Sequence, residues 1–355
     1  MQPSQTALSF AQQSVPIVVA RLTHGHVGWI LGRVEKGDVQ LVGIYEPDRE
    51  VVDRCARQFG FDTRLVHTDF GKMLDTVKPQ AVAAFGSIAE HLPVVEAAAP
   101  RGIHVMVEKP LAFCVEDADK MEALAKRHGI HVLTNYETTW YASGYTAFQL
   151  VHGDTAVGPI RKVLVRDGHF GPKEVGVAPE FLSWLTDPAQ NGGGALIDFG
   201  CYGANLVTWL MHGAAPLTVT AVTQQLKHDS TYAQVDDEAT LILTYPQAQA
   251  IIQGSWNWPD HRKDLEIFGT HGYVLTPDGT SVRMRVRGQR MERVVTPKEL
   301  LGQYFDGFAY LASVVRGTEK VADTDRSSLA NNLTVVRILD AARRSARIRQ
   351  TISLE

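Results

Sequence analysis

Short apolar runs alternate with amphipathic stretches over residues 1–134. Residues 15–20 (VPIVVA) are rich in β-branched side chains, which favours a strand buried on both faces. A loop at 21–28 and a helix over about 27–35 follow. The same pattern then predicts strands at 40–45, 81–85, 103–107 and 130–134, and helices at 48–59, 89–99 and 115–128. Repeated βα units of this length predict an α/β fold whose N-terminal domain holds a doubly wound parallel sheet.

The pattern changes after Tyr136. A helix at 144–152, a strand at 160–167 and a loop-rich stretch lead to a glycine run and a helix at 195–211. Strands are predicted at 217–225, 239–245, 248–255, 264–268, 272–275 and 281–286, and closing helices at 303–315 and 327–346. Consecutive strands without helices between them predict a large, mostly antiparallel open sheet in an α+β domain. We therefore divide the chain into residues 1–134 and 135–355.

Length, composition and charge limit the classes of protein to which this chain can belong. A chain of 355 residues is long for a single core, which fits two domains. Charges of both signs are intermixed, the net charge is −4, and no basic tract indicates a nucleic-acid partner. Residues 1–15 lack the basic start and apolar stretch of a signal peptide and are expected to be a loosely docked leader. No apolar run approaches the roughly 18 residues of a membrane span.

The cysteine pattern indicates a reducing compartment. Cys55, Cys114 and Cys201 are odd in number and lack CxxC spacing, so neither a disulfide framework nor a zinc site is indicated. A cytoplasmic location is expected.

The first βα turn carries a partial dinucleotide-binding pattern. Aligned to GxGxxG, the second and third glycines are Gly25 and Gly28, and Thr23 replaces the first. Glu46 follows the second strand about twenty residues on, where a carboxylate binds the adenosine ribose and favours NAD over NADP. Arg49 nearby would weaken that preference. An ordinary strand–turn–helix is the alternative, and His24 with His26 lacks the further ligands that a metal site needs.

Two further segments carry candidate chemistry. Lys109 follows the fifth strand, at the sheet edge where open α/β sheets bind ligands, and Pro110 restricts its backbone. The segment 191–205 (NGGGALIDFGCYGAN) enters a helix through three glycines and places Asp198, Tyr202 and Asn205 at i, i+4 and i+7 on one face. Such a stripe fits a cleft wall or, alternatively, a solvent-facing helix side.

EKPLA after a strand, followed by GGGALIDFGCYGANLVTWL, resembles the Gfo/Idh/MocA family of glucose–fructose oxidoreductase and inositol dehydrogenase. The resemblance covers nearly the whole chain and implies a Rossmann domain followed by a domain for substrate binding and oligomerisation. Many members have histidine in place of Tyr202 and aspartate in place of Asn205. That departure leaves the proton-transfer residue open between Tyr202 and Lys109.

The resemblance also implies the remaining site residues. Expected cofactor contacts are Thr23, Gly25, His26, Val27, Glu46, Arg49, Ser87, Ile88, His91, Glu108, Lys109 and Pro110. Expected substrate contacts are Glu137, Trp140, His169 and Asn205, with Trp184 and Arg262 as weaker candidates.

The function expected is NAD(P)-dependent hydride transfer from a hydroxyl carbon of a sugar, polyol or related cyclic alcohol. Tyr202 is expected to take the hydroxyl proton, with its pKa lowered by Lys109, while Asp198 orients the substrate or Lys109. No arginine cluster indicates an anionic substrate, no metal is expected, and a homodimer or homotetramer is expected. The alternatives are a redox-neutral glycoside-cleaving enzyme that passes through a transient keto sugar, and a non-catalytic NAD-binding regulator.

Overall fold

The computed structural model describes residues 14–354, so the predicted leader lies outside the described residues except for its last two positions. The strands of the N-terminal sheet are β1 (Val15–Ala20), β2 (Val39–Tyr45), β3 (Val66–His67), β4 (Ala81–Ala84), β5 (His104–Glu108) and β6 (Val132–Asn135). They run parallel in the order β3-β2-β1-β4-β5-β6. The order reverses between β1 and β4, as in a doubly wound sheet, and the predicted Rossmann architecture is confirmed.

The helices of this half are α1 (Gly28–Leu31), α2 (Arg49–Phe59), α3 (Phe70–Val77), α4 (His91–Ala98) and α5 (Val115–His128). The carboxylate of Asp48 caps α2 by accepting from the backbone N–H groups of Glu50 and Val51. The helix predicted over 27–35 is wrong in length, because it ends at Leu31 with Gly32 as its C-cap. Gly28 permits close packing there, since a Cβ would lie 3.1 Å from the Phe59 ring.

The second sheet has the order β14-β13-β12-β11-β7-β10-β9-β8-β15. Its strands are β7 (Ile160–Gly168), β8 (Thr218–Gln224), β9 (Glu238–Thr244), β10 (Gln249–Ser255), β11 (Arg262–Gly269), β12 (Gly272–Thr276), β13 (Val282–Val286), β14 (Arg293–Val295) and β15 (Ile352–Ser353). All described pairs are antiparallel except β7 with β10. Because those two run parallel, their carboxyl ends meet at one edge of the sheet.

The helices of the second half are α6 (Ala142–Phe148), α7 (Pro179–Leu185), α8 (Pro188–Asn191), α9 (Ala195–Asp198), α10 (Gly200–Leu210), α11 (Gly307–Val315) and α12 (Leu329–Ile348). The stretch expected to be loop contains α7 and α8. The helix expected at 144–152 ends its α-helical part at Phe148 and continues as a π turn over Gln149–Gly153.

The helix predicted over 195–211 is interrupted at Phe199. The Tyr202 N–H bonds the carbonyl of Phe199 instead of that of Asp198. The interruption therefore frees the Asp198 carbonyl from the helical ladder, and other groups bind it.

The N-terminal core is completed by a distant segment. Phe308, Leu311 and Val314 of α11 are buried in the same cluster as Ile17 and Val19 of β1. Residues 1–134 therefore do not form this core alone. The division at residue 134 remains a prediction.

Among residues 14–354, no helix combines the length and the apolar character that crossing a bilayer requires.

Candidate active site

A cavity of about 460 Å³ lies where the carboxyl edge of the parallel sheet faces the second sheet. Lys109 follows β5, Asp198 ends α9, and Tyr202 lies on α10, and all three line this cavity. Its further lining residues are His24, His26, Glu137, Tyr141, Gly168, His169, Pro172, Val177, Phe181, Leu185, Phe199, His261, Arg262, Lys263, Pro277, Asp278 and Gly279. Lys109 and Tyr202, which are far apart in sequence, thus share one cleft.

Lys109 and Asp198 form a buried ion pair. The Lys109 ammonium donates to Oδ1 of Asp198 and also to its freed carbonyl, at 3.1 Å. Trp256, directly after β10, donates its indole N–H to the other carboxylate oxygen at 3.0 Å. Burial by itself would raise the pKa of Asp198, but the Lys109 ammonium outweighs it and lowers that pKa to about 2. Two fixed donors, one of them the charged Lys109, therefore hold Asp198 ionised.

The same pairing keeps Lys109 protonated. Burial by itself would lower its pKa, but the Asp198 carboxylate outweighs burial and raises the pKa above the usual lysine value. An ammonium has three N–H bonds, and two of them point at Asp198. Lys109 is therefore a charged donor with one N–H left for a ligand, rather than a base.

Tyr202 differs from its predicted state. Its ring lies 5.2 Å from the Lys109 ammonium and 4.5 Å from that of Lys263. Even so, burial and then the charge of Glu137 raise the pKa of Tyr202 well above 10. The expectation that Lys109 lowers this pKa is wrong, because the buried phenol is surrounded by carboxylates as well as ammonium groups. Tyr202 is a neutral hydrogen-bond donor in this cleft.

The other cations of the cleft are also paired. Lys263 bonds Glu137, whose carboxylate also accepts from the hydroxyl of Tyr141. Arg262 bonds Asp264 at 2.8 Å. Among the described lining residues, each lysine and arginine thus has a carboxylate partner.

His169 occupies the end of the second sheet. It follows β7, and its ring packs edge-on against Phe199 at 4.9 Å. Its Nδ1 accepts the Gly171 N–H at 2.9 Å, and burial lowers its pKa to about 4. Because β7 and β10 are parallel, His169 and Trp256 lie at the same edge of the sheet, where His169 lines the cleft and Trp256 bonds Asp198 behind it.

The glycine turn places its histidines beside Lys109. His24 is 3% exposed, and its Nδ1 accepts the His26 N–H at 3.0 Å. Its Nε2 has no acceptor among the described residues. Gly25 itself is exposed, and a Cβ there would meet only the Phe181 ring of α7, at 3.6 Å. A buried donor without an acceptor next to an open glycine turn fits a bound phosphate or substrate oxygen.

The adenosine-ribose end differs in one residue from its prediction. Glu46 is buried, with its carboxylate accepting from Arg21 Nη1 at 2.5 Å and from the Leu22 N–H at 2.9 Å. Arg21 directly follows β1 and adopts a left-handed backbone conformation, with φ 69°. The alignment of Thr23 to the first glycine of the fingerprint stays a prediction. Arg49 is exposed and pairs with Asp53 on its own helix, so Arg21 is the arginine that contacts Glu46.

The remaining expected cofactor residues lie around the turn. Ser87 donates to Gln190 at 2.8 Å, and His91 bonds the Leu111 carbonyl at 3.1 Å without lining the cleft. Glu108 lies between His26 and Asn135. The residues that are simply buried there are Thr23, Val27, Ile88 and Pro110.

Two expected substrate residues have structural contacts instead. Asn205 is fully buried and donates to the Arg326 carbonyl at 2.8 Å, so its side chain lies in the core and does not line the cleft. The structure replaces its predicted substrate contact with a role in the core. Trp140 donates its indole N–H to Asn135 at 2.9 Å and lines a neighbouring cavity. Trp184 packs near His24, with ring centroids 5.7 Å apart.

His24, His26 and Glu108 bring potential metal-ligand atoms within 4.8 Å of one another. Their hydrogen bonds do not fit coordination by His24. Its Nδ1 lone pair already accepts the His26 N–H, so the neutral ring carries its proton on Nε2. Neither nitrogen of His24 is then free to bind an ion.

Sequence reasoning missed His24 as a ligand donor, and it missed Trp256 and Lys263. His24 was considered only as part of a metal pair. A tryptophan directly after a strand and a lysine within one give no local signal, because their importance depends on which strands are neighbours in the second sheet.

Comparisons with known proteins agree with this geometry. Residues 23–136 match the profile of an oxidoreductase family with an NAD-binding Rossmann fold, and residues 127–275 match the GFO/IDH/MocA C-terminal domain. The chain is 24% identical over 258 residues to trans-1,2-dihydrobenzene-1,2-diol dehydrogenase of Xenopus tropicalis, which covers 71% of this chain and 74% of that protein. It is 23% identical over 338 residues to D-xylose 1-dehydrogenase [NADP(+)] of Haloarcula marismortui, covering 91% of each.

An inositol dehydrogenase homologue from Azotobacter vinelandii, solved with NAD⁺, shares the fold. Its TM-score is 0.80 at 18% identity, covering 96% of this chain and 97% of that one. The resemblance first inferred from the EKP and GGG-helix motifs is thus confirmed: the chain belongs to the Gfo/Idh/MocA family of NAD-binding oxidoreductases.

Proposed function

We propose that this protein is a dehydrogenase that oxidises a hydroxyl carbon of a neutral sugar, polyol or cyclic diol. The observation that carries the proposal is the cleft itself, where the ammonium of Lys109 and the phenol of Tyr202 line one cavity beside the glycine turn. The diol and xylose dehydrogenases among the relatives support this substrate class. The pairing of every lining lysine and arginine supports a substrate without charge.

NAD, when bound along the turn, accepts or donates the hydride. Gly25, the donor His24 and the carboxylate Glu46 would hold it. Lys109 and Tyr202 would donate hydrogen bonds to the substrate oxygen and stabilise the negative charge that develops as its proton leaves. Asp198 would keep the Lys109 ammonium charged and aimed. Glu46 favours NAD, while the adjacent Arg21 offers partial compensation for the 2′-phosphate of NADP.

The test is a screen of neutral aldoses, inositols and cyclic diols with NAD⁺ and NADP⁺ in parallel, followed by absorbance of the reduced nicotinamide. We expect turnover with at least one class, and Lys109→Ala as the matched variant should be inactive on the same compound. Product release from a glycoside without net reduced nicotinamide would instead identify the redox-neutral alternative, which the comparisons do not favour. No turnover with cofactor binding intact would support a regulator.

We further propose that the protein is a homo-oligomer formed through the open face of the second sheet. Ile242 of β9 and Ile251 of β10 are paired neighbours that alternate with fully buried residues, so they lie on the face opposite the core. Sedimentation equilibrium of the wild type and of Ile251→Lys tests this, and we expect the variant to dissociate. The cytoplasmic location remains a prediction, supported by three unpaired cysteines.

A further inference from the structure

Three of the histidines that line the cleft, His24, His26 and His169, differ in which ring nitrogen carries a proton. The Nδ1 of His24 and the Nδ1 of His169 each accept a backbone N–H, so in both neutral rings Nε2 must carry the hydrogen and act as a donor. His26 has the opposite arrangement, because its Nδ1 lies 2.9 Å from a carboxylate oxygen of Glu108. Nδ1 of His26 then donates, and Nε2 keeps a free lone pair.

The orientation of Glu108 follows from a chain of donors. The indole N–H of Trp140 can only donate, and it bonds Oδ1 of Asn135 at 2.9 Å. Asn135 must therefore present its NH₂ group to Glu108 Oε1, at 2.8 Å. The other carboxylate oxygen, Oε2, is left for His26. Glu108 is 2% exposed, so this chain rather than solvent fixes its position.

The imidazole ring of His26 is held in place by stacking and remains accessible from the cleft. It stacks on Trp29 with ring centroids 3.7 Å apart, and it lines the cavity with Lys109, Asp198 and Tyr202. Lys109 and Tyr202 act as donors, and Asp198 has a donor on each carboxylate oxygen. Among these groups, only the imidazole of His26 combines a free lone pair with a directly bonded carboxylate. Burial and the ammonium groups of Lys109 and Lys263 lower the pKa of His26 well below the usual histidine value, so the ring is neutral before it accepts a proton.

We infer that His26, oriented by Glu108, is the proton acceptor of the reaction, a role that sequence reasoning left between Tyr202 and Lys109. The inference rests on the proposed dehydrogenase function. In the oxidation, the substrate O–H bond breaks and its proton passes to Nε2 of His26. The carbinol C–H bond breaks with its electron pair, which leaves as the hydride that NAD⁺ takes up, and the C–O bond becomes a carbonyl. Solvent then removes the proton from His26.

The first test reads the tautomers and needs no turnover. Long-range ¹H–¹⁵N correlation spectra of the histidine-labelled protein separate the two neutral forms, and His24→Gln, His26→Gln and His169→Gln assign the signals. We expect hydrogen on Nδ1 of His26 and on Nε2 of His24 and His169. Hydrogen on Nε2 of His26, which a protonated Glu108 would produce, would overturn the inference.

The second test measures whether His26 acts as a base. We expect His26→Ala to lower kcat by about 10²–10⁴-fold with a much smaller change in KM. Added imidazoles should restore the rate, and the restored rate should rise with the basicity of the added imidazole. The series is run at one pH, because Lys109, Lys263, Glu137, Asp198 and His24 also face this ring.

Two comparisons make the outcome decisive. His228→Gln, on the exposed surface, should turn over like the wild type. Rescue that is independent of basicity, or full activity of His26→Ala, would overturn the role of His26 while leaving a wild type that reduces NAD⁺ as proposed. A wild type that oxidises no tested alcohol would instead contradict the proposed function, and this inference with it.

Discussion

The two ends of the proposed dinucleotide site, at Lys109 and at Glu46, differ in how their charged side chains are held. At the reactive end, Lys109 and Asp198 are almost fully buried; Lys109 donates to two oxygens of Asp198, and the Asp198 carboxylate accepts from both Lys109 and Trp256. At the adenosine end, Glu46 is buried but its partner Arg21 is partly exposed and also reaches Glu90. Burial with complete pairing fixes a protonation state, whereas a partly solvated charge adjusts to its ligand. Substitutions at the reactive end should therefore lower activity and stability far more than substitutions at the adenosine end.

The largest effect is expected at Lys109. Lys109→Ala removes the charged donor, and kcat should fall by at least about 10²–10³-fold. It also leaves the Asp198 carboxylate buried without its partner, which should cost about 3–5 kcal/mol of unfolding free energy. In Lys109→Ala/Asp198→Asn that stability should largely return while activity does not. Urea unfolding and steady-state kinetics measure both, and equal activity of the double variant and wild type would refute the role of Lys109.

Tyr202 should matter less, which separates a donor from a base. Tyr202→Phe removes one neutral hydrogen bond to the substrate oxygen, so kcat should fall only about tenfold. Because the pKa of this phenol is raised by burial, the rate should not depend on its ionisation near neutral pH. Steady-state kinetics with the best alcohol provide the measurement. A decrease in kcat of a thousandfold or more would instead indicate that Tyr202 is the proton acceptor.

At the adenosine end, Arg21→Gly should alter the preference between NAD⁺ and NADP⁺ rather than the rate of the chemical step. Removing the guanidinium beside Glu46 should raise the NAD⁺ to NADP⁺ ratio of kcat/KM about tenfold, the size of one charge-assisted hydrogen bond. Arg49→Ala is the matched control and should leave the ratio unchanged, since Arg49 pairs with Asp53 at the surface. An equal shift in both variants would show that only the overall charge matters.

The smallest effect concerns Asp167, an exception near the reactive end because neither carboxylate oxygen has a hydrogen-bond partner among residues 14–354. Burial raises its pKa well above the usual value. The folded state then binds a proton that the unfolded state releases above about pH 4, so this group makes stability fall as pH rises through that window. Asp167→Asn should remove that dependence and add about 1 kcal/mol at neutral pH. Urea melts at pH 5 and pH 8 compare the two proteins, and a variant that is less stable at pH 8 would contradict this account.

The sequence alone determined much of the scaffold. The order of βα units predicted the parallel sheet, because strand and helix periodicities are local properties of the chain. Residues directly after parallel strands converge at one edge, so Lys109 and the turn at Gly25 were placed correctly relative to each other. The GGG motif located the helical segment that carries Asp198 and Tyr202, which the structure divides into α9 and α10. Each of those inferences depends only on residues that are close together in the sequence.

Only the tertiary structure decided protonation and partners. Nothing local to Asn205 shows that its side chain is buried and donates to the carbonyl of Arg326, which is 121 positions away in sequence. The ammonium of Lys109 and the carboxylate of Asp198 are 89 positions apart in sequence, and His26 and Glu108 are 82 apart. A pKa or a tautomer depends on which charges and donors lie within a few ångströms. For Lys109 and Asp198 that proximity arises when the two sheets pack together, and for His26 and Glu108 it arises because β1 and β5 end at the same edge of the parallel sheet.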